Sequence, residues 1–115
     1  TKKRSMLNEL NVIGHLGDDP KEHVFDSGNK IAQVSIAVTE KWVDSTGTPR
    51  EKTEWIPLVF QGKSAETALQ YLHKGSKIYV KGKLSVRKWE KNGQTNYGFD
   101  CIVRQFIFLD NAPSQ

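Results

Sequence analysis

Residues 77–97 read Lys-Ile-Tyr-Val-Lys-Gly-Lys-Leu-Ser-Val-Arg-Lys-Trp-Glu-Lys-Asn-Gly-Gln-Thr-Asn-Tyr, and they alternate at period two. Ile78, Val80, Leu84 and Val86 share one phase, with Gly82 between them. Tyr79, Lys81, Lys83, Ser85, Arg87 and Trp89 share the other. Successive side chains of a strand point to opposite faces, so this segment predicts a long strand with an aliphatic side and a cationic side with aromatic ends. Asn92-Gly93 supplies the positive-φ pair of a tight hairpin turn. Lysines, an arginine and a tryptophan on one wet face suit a polyanion with flat bases, which in its sharper form is single-stranded nucleic acid.

Outward from this strand, the rest of the chain reads mostly as further strands. Leu10 to Leu16 is a first strand, closed by the turn cluster Gly17-Asp18-Asp19-Pro20. Asp26-Ser27-Gly28-Asn29 is a second turn, flanked by short strands. Ile31 to Lys41 is a strand with Val34, Ile36 and Val38 in one phase and Gln33, Ser35 and Thr39 in the other. Val43 to Thr53, polar and holding Gly47 and Pro49, is expected to be a long mobile loop. Glu54 to Phe60 is the next strand, with Ile56, Leu58 and Phe60 facing the core; Pro57 lacks an N–H and marks an edge or a bulge there. Ser64 to His73 is the only helical segment, with Ser64 as N-cap, Ala65, Ala68, Leu69 and Leu72 as its apolar face, and Lys74-Gly75 as a cationic last turn and C-cap. Tyr97 to Leu109 is the final strand, and its period slips near Arg104-Gln105, the mark of a bulge or bend.

Five main strands with one short helix between the third and fourth predict an all-β, five-stranded Greek-key barrel of the OB type, its helix plugging one end. Closure would also remove most exposed strand edges. An SH3-like barrel or a small sandwich fits the strand count but not the place of the helix. At 115 residues the chain is one domain with room for a core. Its division is 1–6 as a flexible N-terminal arm or vector remnant, 7–109 as the barrel, and 110–115 as a short polar end. A net charge of +4 and a pI near 9.2 favour a phosphate-bearing partner without requiring one. The lone Cys101 forms no internal bridge, so a reducing compartment is the default. No apolar run reaches membrane-spanning length.

Several motifs then fall together. Asn8 to Pro20, Ala37-Val-Thr-Glu-Lys-Trp42, Lys52-Thr-Glu-Trp55, Tyr71-Leu-His-Lys-Gly-Ser76 and Ile78 to Trp89 resemble, in order and spacing, the bacterial and organellar single-stranded DNA-binding proteins. The resemblance runs from about Leu7 to Leu109. It implies an OB fold, sequence-tolerant binding of single-stranded DNA, a homotetramer built from dimers, and work in replication, recombination and repair. It places Trp42, Trp55 and Trp89 on base-stacking positions, Lys63, Lys74, Arg87 and Lys88 on basic positions along the DNA path, and Tyr71 on a further aromatic associated with binding. Phase adds Lys83 to this set. The resemblance also implies the cytoplasm of a bacterium, at the nucleoid, or an organelle matrix.

The chain departs from that pattern at several places. Pro57 stands where a basic residue is usual, and Gln61 where an aromatic is usual. Lys81 and Lys83 stand where an acidic residue and a glutamine are common, on a face through which family tetramers pack. Stacked lysines there would repel across such a contact; a homo-oligomer is expected, with the tetramer favoured and a dimer as the alternative. The family's flexible linker and acidic tip, which recruit replication and repair enzymes, do not occur before Gln115; such partners are expected only where a tail lies outside this sequence.

Each reading has a plainer competitor. Tryptophans in small β proteins often pack into cores or rims. Trp89 sides with Lys83 and Arg87, and Trp55 opposes Ile56, Leu58 and Phe60, so phase points both outward. Trp42 shares the inward phase of Val34, Ile36 and Val38 and rests on the resemblance. Tyr71, beside Leu72, fits packing equally well. Scattered lysines such as Lys21 and Lys30 read as solvated charge. The three histidines have no ligand-like spacing with Cys101 or with carboxylates, and Asp18-Asp19 before Pro20 reads as a turn. Neither a metal, a cofactor nor an enzymatic activity is expected. An RNA-binding OB domain, or an OB module for protein interaction, remains as an alternative.

Overall fold

The computed structural model describes residues 6–110. Its strands are β1 (Leu10–Leu16), β2 (Lys21–Val24), β3 (Lys30–Val43), β4 (Pro49–Gln61), β5 (Lys77–Lys91) and β6 (Gln94–Phe108), with the helix α1 (Lys63–Tyr71) between β4 and β5. The sheet runs β1-β5-β6-β4-β3-β2, and β1 also pairs with β3. That last pairing closes β1, β5, β6, β4 and β3 into a five-stranded barrel, with β2 hung outside on β3. This is the expected OB barrel. The helix follows the third barrel strand, as expected, and is numbered after β4 because the short β2 counts separately.

Alternation explains what the barrel holds. Val34 and Ile36 of β3, Leu58 and Phe60 of β4, Ile78 and Val80 of β5, and Cys101 and Val103 of β6 all turn inward and are buried. Ala65, Ala68 and Leu72 cap this core from α1 and its C-terminal flank. Phe60 is completely buried and meets Phe106 edge-on, with ring centroids 5.1 Å apart. The slip expected near Arg104 is a bulge: Lys81 pairs with Gln105 but Gly82 with Val103, which leaves Arg104 as the extra residue. It lets Cys101 and Val103 face inward while Phe106, three residues on, still packs against the core.

Three local expectations are corrected. The stretch 43–53 is not a long loop. β3 and β4 stay paired as far as Val43 and Pro49, leaving a short turn at residues 44–48. Asp44 organises that turn: its carboxylate accepts from the Thr46 hydroxyl at 2.6 Å, the Thr46 and Thr48 amides and Arg50 Nε. Ser64 is not the N-cap. The helix begins one residue earlier behind Gly62, whose φ of 58° suits glycine, and no side chain caps it. Lys74-Gly75 lies beyond the helix, which ends at Tyr71 with Leu72 already extended.

A fourth correction concerns the edges. β3–β4 and β5–β6 both run on past the closed barrel as two-stranded ribbons. Leu84 and Val86 therefore leave the core although they keep its phase, and lie exposed beside Tyr97 and Phe99. The β5–β6 ribbon turns at Asn92-Gly93, where φ is 52° and 78°, the positive pair expected there.

Candidate nucleic-acid interface

Trp55 projects from β4 on the side opposite Leu58 and Phe60 and is 58% exposed. A cleft of about 330 Å³ opens beside it, walled by Gly17, Asp18, Asp19, Lys21, Gln33, Ser35, Pro57 and Asp100. Gly17 matters because the indole lies against it, so closely that a side chain there would overlap the ring. The two aspartates serve as turn braces: Asp18 accepts from the Asp19 amide, and Asp19 from the Lys74 amide at 2.8 Å. That second bond holds Lys74, in the turn before β5, next to the cleft.

Asp100 connects this cleft to the β5–β6 ribbon. Its carboxylate takes Arg87 Nε at 2.7 Å, and the Arg87 guanidinium lies 5.5 Å from the ring centre of Trp89. Trp89 and Arg87 both rest over Gly98, where an added β-carbon would stand 3.2 Å from the indole and 3.1 Å from the guanidinium. Trp55, Asp100, Arg87 and Trp89 thus form one connected surface. Lys83 shares the β5 phase of Arg87 and Trp89 and is exposed.

The remaining expected residues are more dispersed. Trp42, 47% exposed, sits near the end of the β3–β4 ribbon opposite Arg50. Register puts it on the face opposite Trp55. Its inward phase does not bury it, because the ribbon has left the barrel behind. Lys88 pairs with Tyr97 on the reverse face of the β5–β6 ribbon from Trp89. Lys63 opens α1 and is exposed. Tyr71 stands edge-on to Phe108 at 6.3 Å, and Phe108 to Phe106 at 5.6 Å, so its ring belongs to an aromatic series at the barrel's end.

Sequence reading missed Lys21, Gln33, Ser35 and Asp100, because their approach to Trp55 depends on which strands neighbour one another. Gly98 did carry a signal: a glycine inside a strand pattern marks close approach of another group. On the outer face of β1 and β5, Lys81 meets Glu9 at 3.5 Å, and Tyr79 donates to Asn11 at 2.6 Å. The Asn11 amide and then Lys81 hold the Glu9 carboxyl below its usual range. Lys81 thus has a carboxylate partner within the chain itself.

Known proteins share this fold. A Plasmodium falciparum SSB solved in complex with ssDNA superposes with a TM-score of 0.86 at 32% identity, covering 95% of this chain and 100% of that one. A deletion mutant of the single-stranded DNA binding protein from Thermus aquaticus gives a TM-score of 0.80 at 28% identity, over 90% of this chain and 51% of that one. The family model matches residues 7–109, and the chain belongs to the single-strand binding protein family.

Proposed function

We propose that this protein is a non-catalytic binder of single-stranded DNA that holds and protects unpaired strands during replication, recombination and repair. The observation that carries this reading is the connected surface from Trp55 through Asp100 and Arg87 to Trp89. Two exposed indoles accept bases on their faces, at roughly 1–3 kcal/mol per stacked base. Lys83, Lys63, Lys74 and Arg87 displace counterions along the phosphates, so affinity falls as salt rises. Trp42 with Arg50, on the β3–β4 ribbon, and Lys88, on the β5–β6 ribbon, extend the contact. Duplex DNA hides its base faces and binds less well. A reducing site of action, at a bacterial nucleoid or in an organelle matrix, suits the unpaired thiol.

The same reading includes assembly into a homo-oligomer. Ile13, Tyr79 and Ile107 stand directly across from one another on β1, β5 and β6, and Ile13 and Ile107 are exposed. With Lys81 matched by Glu9, this apolar row supports packing against a second copy, and a tetramer is the expected state.

The test is a titration of tryptophan fluorescence with oligo-dT over a range of salt, beside duplex of equal length. Quenching by oligo-dT that weakens with salt and is much smaller for duplex is the expected result. No response at low salt would remove the proposal.

A further inference from the structure

The face that carries Trp55 does not end at Pro57. β4 alternates, so Trp55, Pro57, Val59 and Gln61 share one side, and their partners across β3 are Ala37, Ser35, Gln33 and Ile31. β2 adds Lys21 opposite Gln33 and His23 opposite Ile31. One sheet face therefore runs from Trp55 to Gln61, about 20 Å at the usual rise of a strand. At its far end stands Phe25, immediately past β2.

Phe25 has no part in the core. Phe25 is 46% exposed, with the His23 imidazole 4.5 Å from its ring and nearly perpendicular. Its backbone is fixed all the same: Phe25 N donates to Asn29 O and Gly28 N to Phe25 O, each at 2.8 Å. With Asn29, Lys30, Ile31, Gln61 and Gly62 it lines a cleft of about 300 Å³, near the lower end for small-ligand sites. The Gly62 amide donates to Lys30 O at 3.3 Å, joining the β2–β3 turn to the start of α1 and so to Lys63. Lys30 pairs with Glu22 at 3.1 Å, both in the β2–β3 phase opposite to His23 and Ile31, so its charge lies on the reverse face.

We infer that Phe25 is a further base-stacking platform, taking a nucleobase from the same single strand that crosses Trp55. The inference rests on the single-stranded DNA reading above and extends its path along the β2–β3–β4 face. A half-exposed phenyl on a hydrogen-bonded turn gives a preset flat surface. The Gln61 and Asn29 amides offer donors and acceptors to base edges, and Lys63 stands ready for a flanking phosphate. The amides can serve any base, so the platform adds affinity without sequence choice.

The experiment compares the parent, Phe25→Ala, Phe25→Leu, Phe25→Trp and, as reference, Trp55→Ala, for binding to oligo-dT long enough to cover the domain. Circular dichroism melts establish that each variant is folded. The expected result is about a tenfold weakening for Phe25→Ala, one stacked base's worth. Phe25→Leu should lose as much, because it keeps apolar bulk but not the flat face, whereas Phe25→Trp should bind at least as tightly as the parent. If Trp55→Ala weakens binding but Phe25→Ala matches the parent, or Phe25→Leu does, Phe25 is not a platform and the inference is overturned. If the parent itself ignores oligo-dT, the failure lies with the single-strand reading.

Discussion

The indole of Trp55 lies on the backbone of Gly17, where an added β-carbon would come within 2.5 Å of Trp55 Cζ3. The ring is held from β1's end although it grows from β4, so its pose is set by two elements that meet only in the folded barrel. Gly17→Ala should push the indole off its seat. We expect weaker oligo-dT binding approaching that of Trp55→Ala, which should cost about 1–3 kcal/mol. Melting temperature should change little in either variant, since Trp55 is outside the core. Fluorescence titration beside a thermal melt checks both halves of this statement.

Phosphate contacts have their own signature. For single strands, the log–log slope of affinity against salt changes by roughly 0.7 for each phosphate neutralised. Lys63→Ala and Lys83→Ala should each make the slope shallower by about that amount, whereas Trp89→Ala should lower affinity and leave the slope nearly as it was. Titrations at four or five salt concentrations separate the two classes. A lysine whose removal leaves the slope unchanged is merely solvated.

The β3–β4 turn carries an acid-sensitive lock. The Thr46 hydroxyl and then Arg50 hold the Asp44 carboxyl down to about 2 from the ordinary 3.8. A depressed folded-state value stabilises the turn above the ordinary value, and that contribution is lost as pH falls from about 4 toward 2. Amide exchange at Thr46 and Thr48 should therefore show a protection step in that window. Asp44→Asn should abolish the step and loosen the turn at neutral pH.

Cys101 is fully buried, and that burial pushes its thiol up from its usual range. The reactive species is the thiolate, so the native protein should resist alkylation by iodoacetamide at pH 8 and react only on unfolding. Mass spectrometry across a urea series should show modification tracking the unfolding transition.

Much of this architecture was readable in the chain because it rests on local rules. Asn92-Gly93 set the hairpin, the slip at Arg104 marked the bulge, and strict alternation put Trp55 and Trp89 outside. Phase failed where strands outran the barrel. Leu84 and Val86 keep the inward phase, yet no interior exists at their height. Trp42 is exposed for the same reason. The 43–53 segment looked like a loop because its residues are polar, but a ribbon with water on both faces has no apolar phase to show. Lys21 and Asp100 at the Trp55 cleft could not be foreseen, since their places follow from β2 docking on β3 and from the parallel contact of β4 with β6 at Leu58 and Cys101. Phe25 was overlooked because a single aromatic beside a turn has no period to betray it.

The extra residue at Arg104 works like a half-step between two gear wheels. Below it the β6 tooth that meshes with the barrel's interior falls on an even number, Phe106, with half-exposed Phe108 beyond it at the barrel's end; above it the teeth fall on odd ones, Cys101 and Val103. Were that residue deleted, one set would have to turn its back on the middle of the molecule. The chain could then seat either the floor that abuts the helix or the wall that carries the ribbon, but not both together.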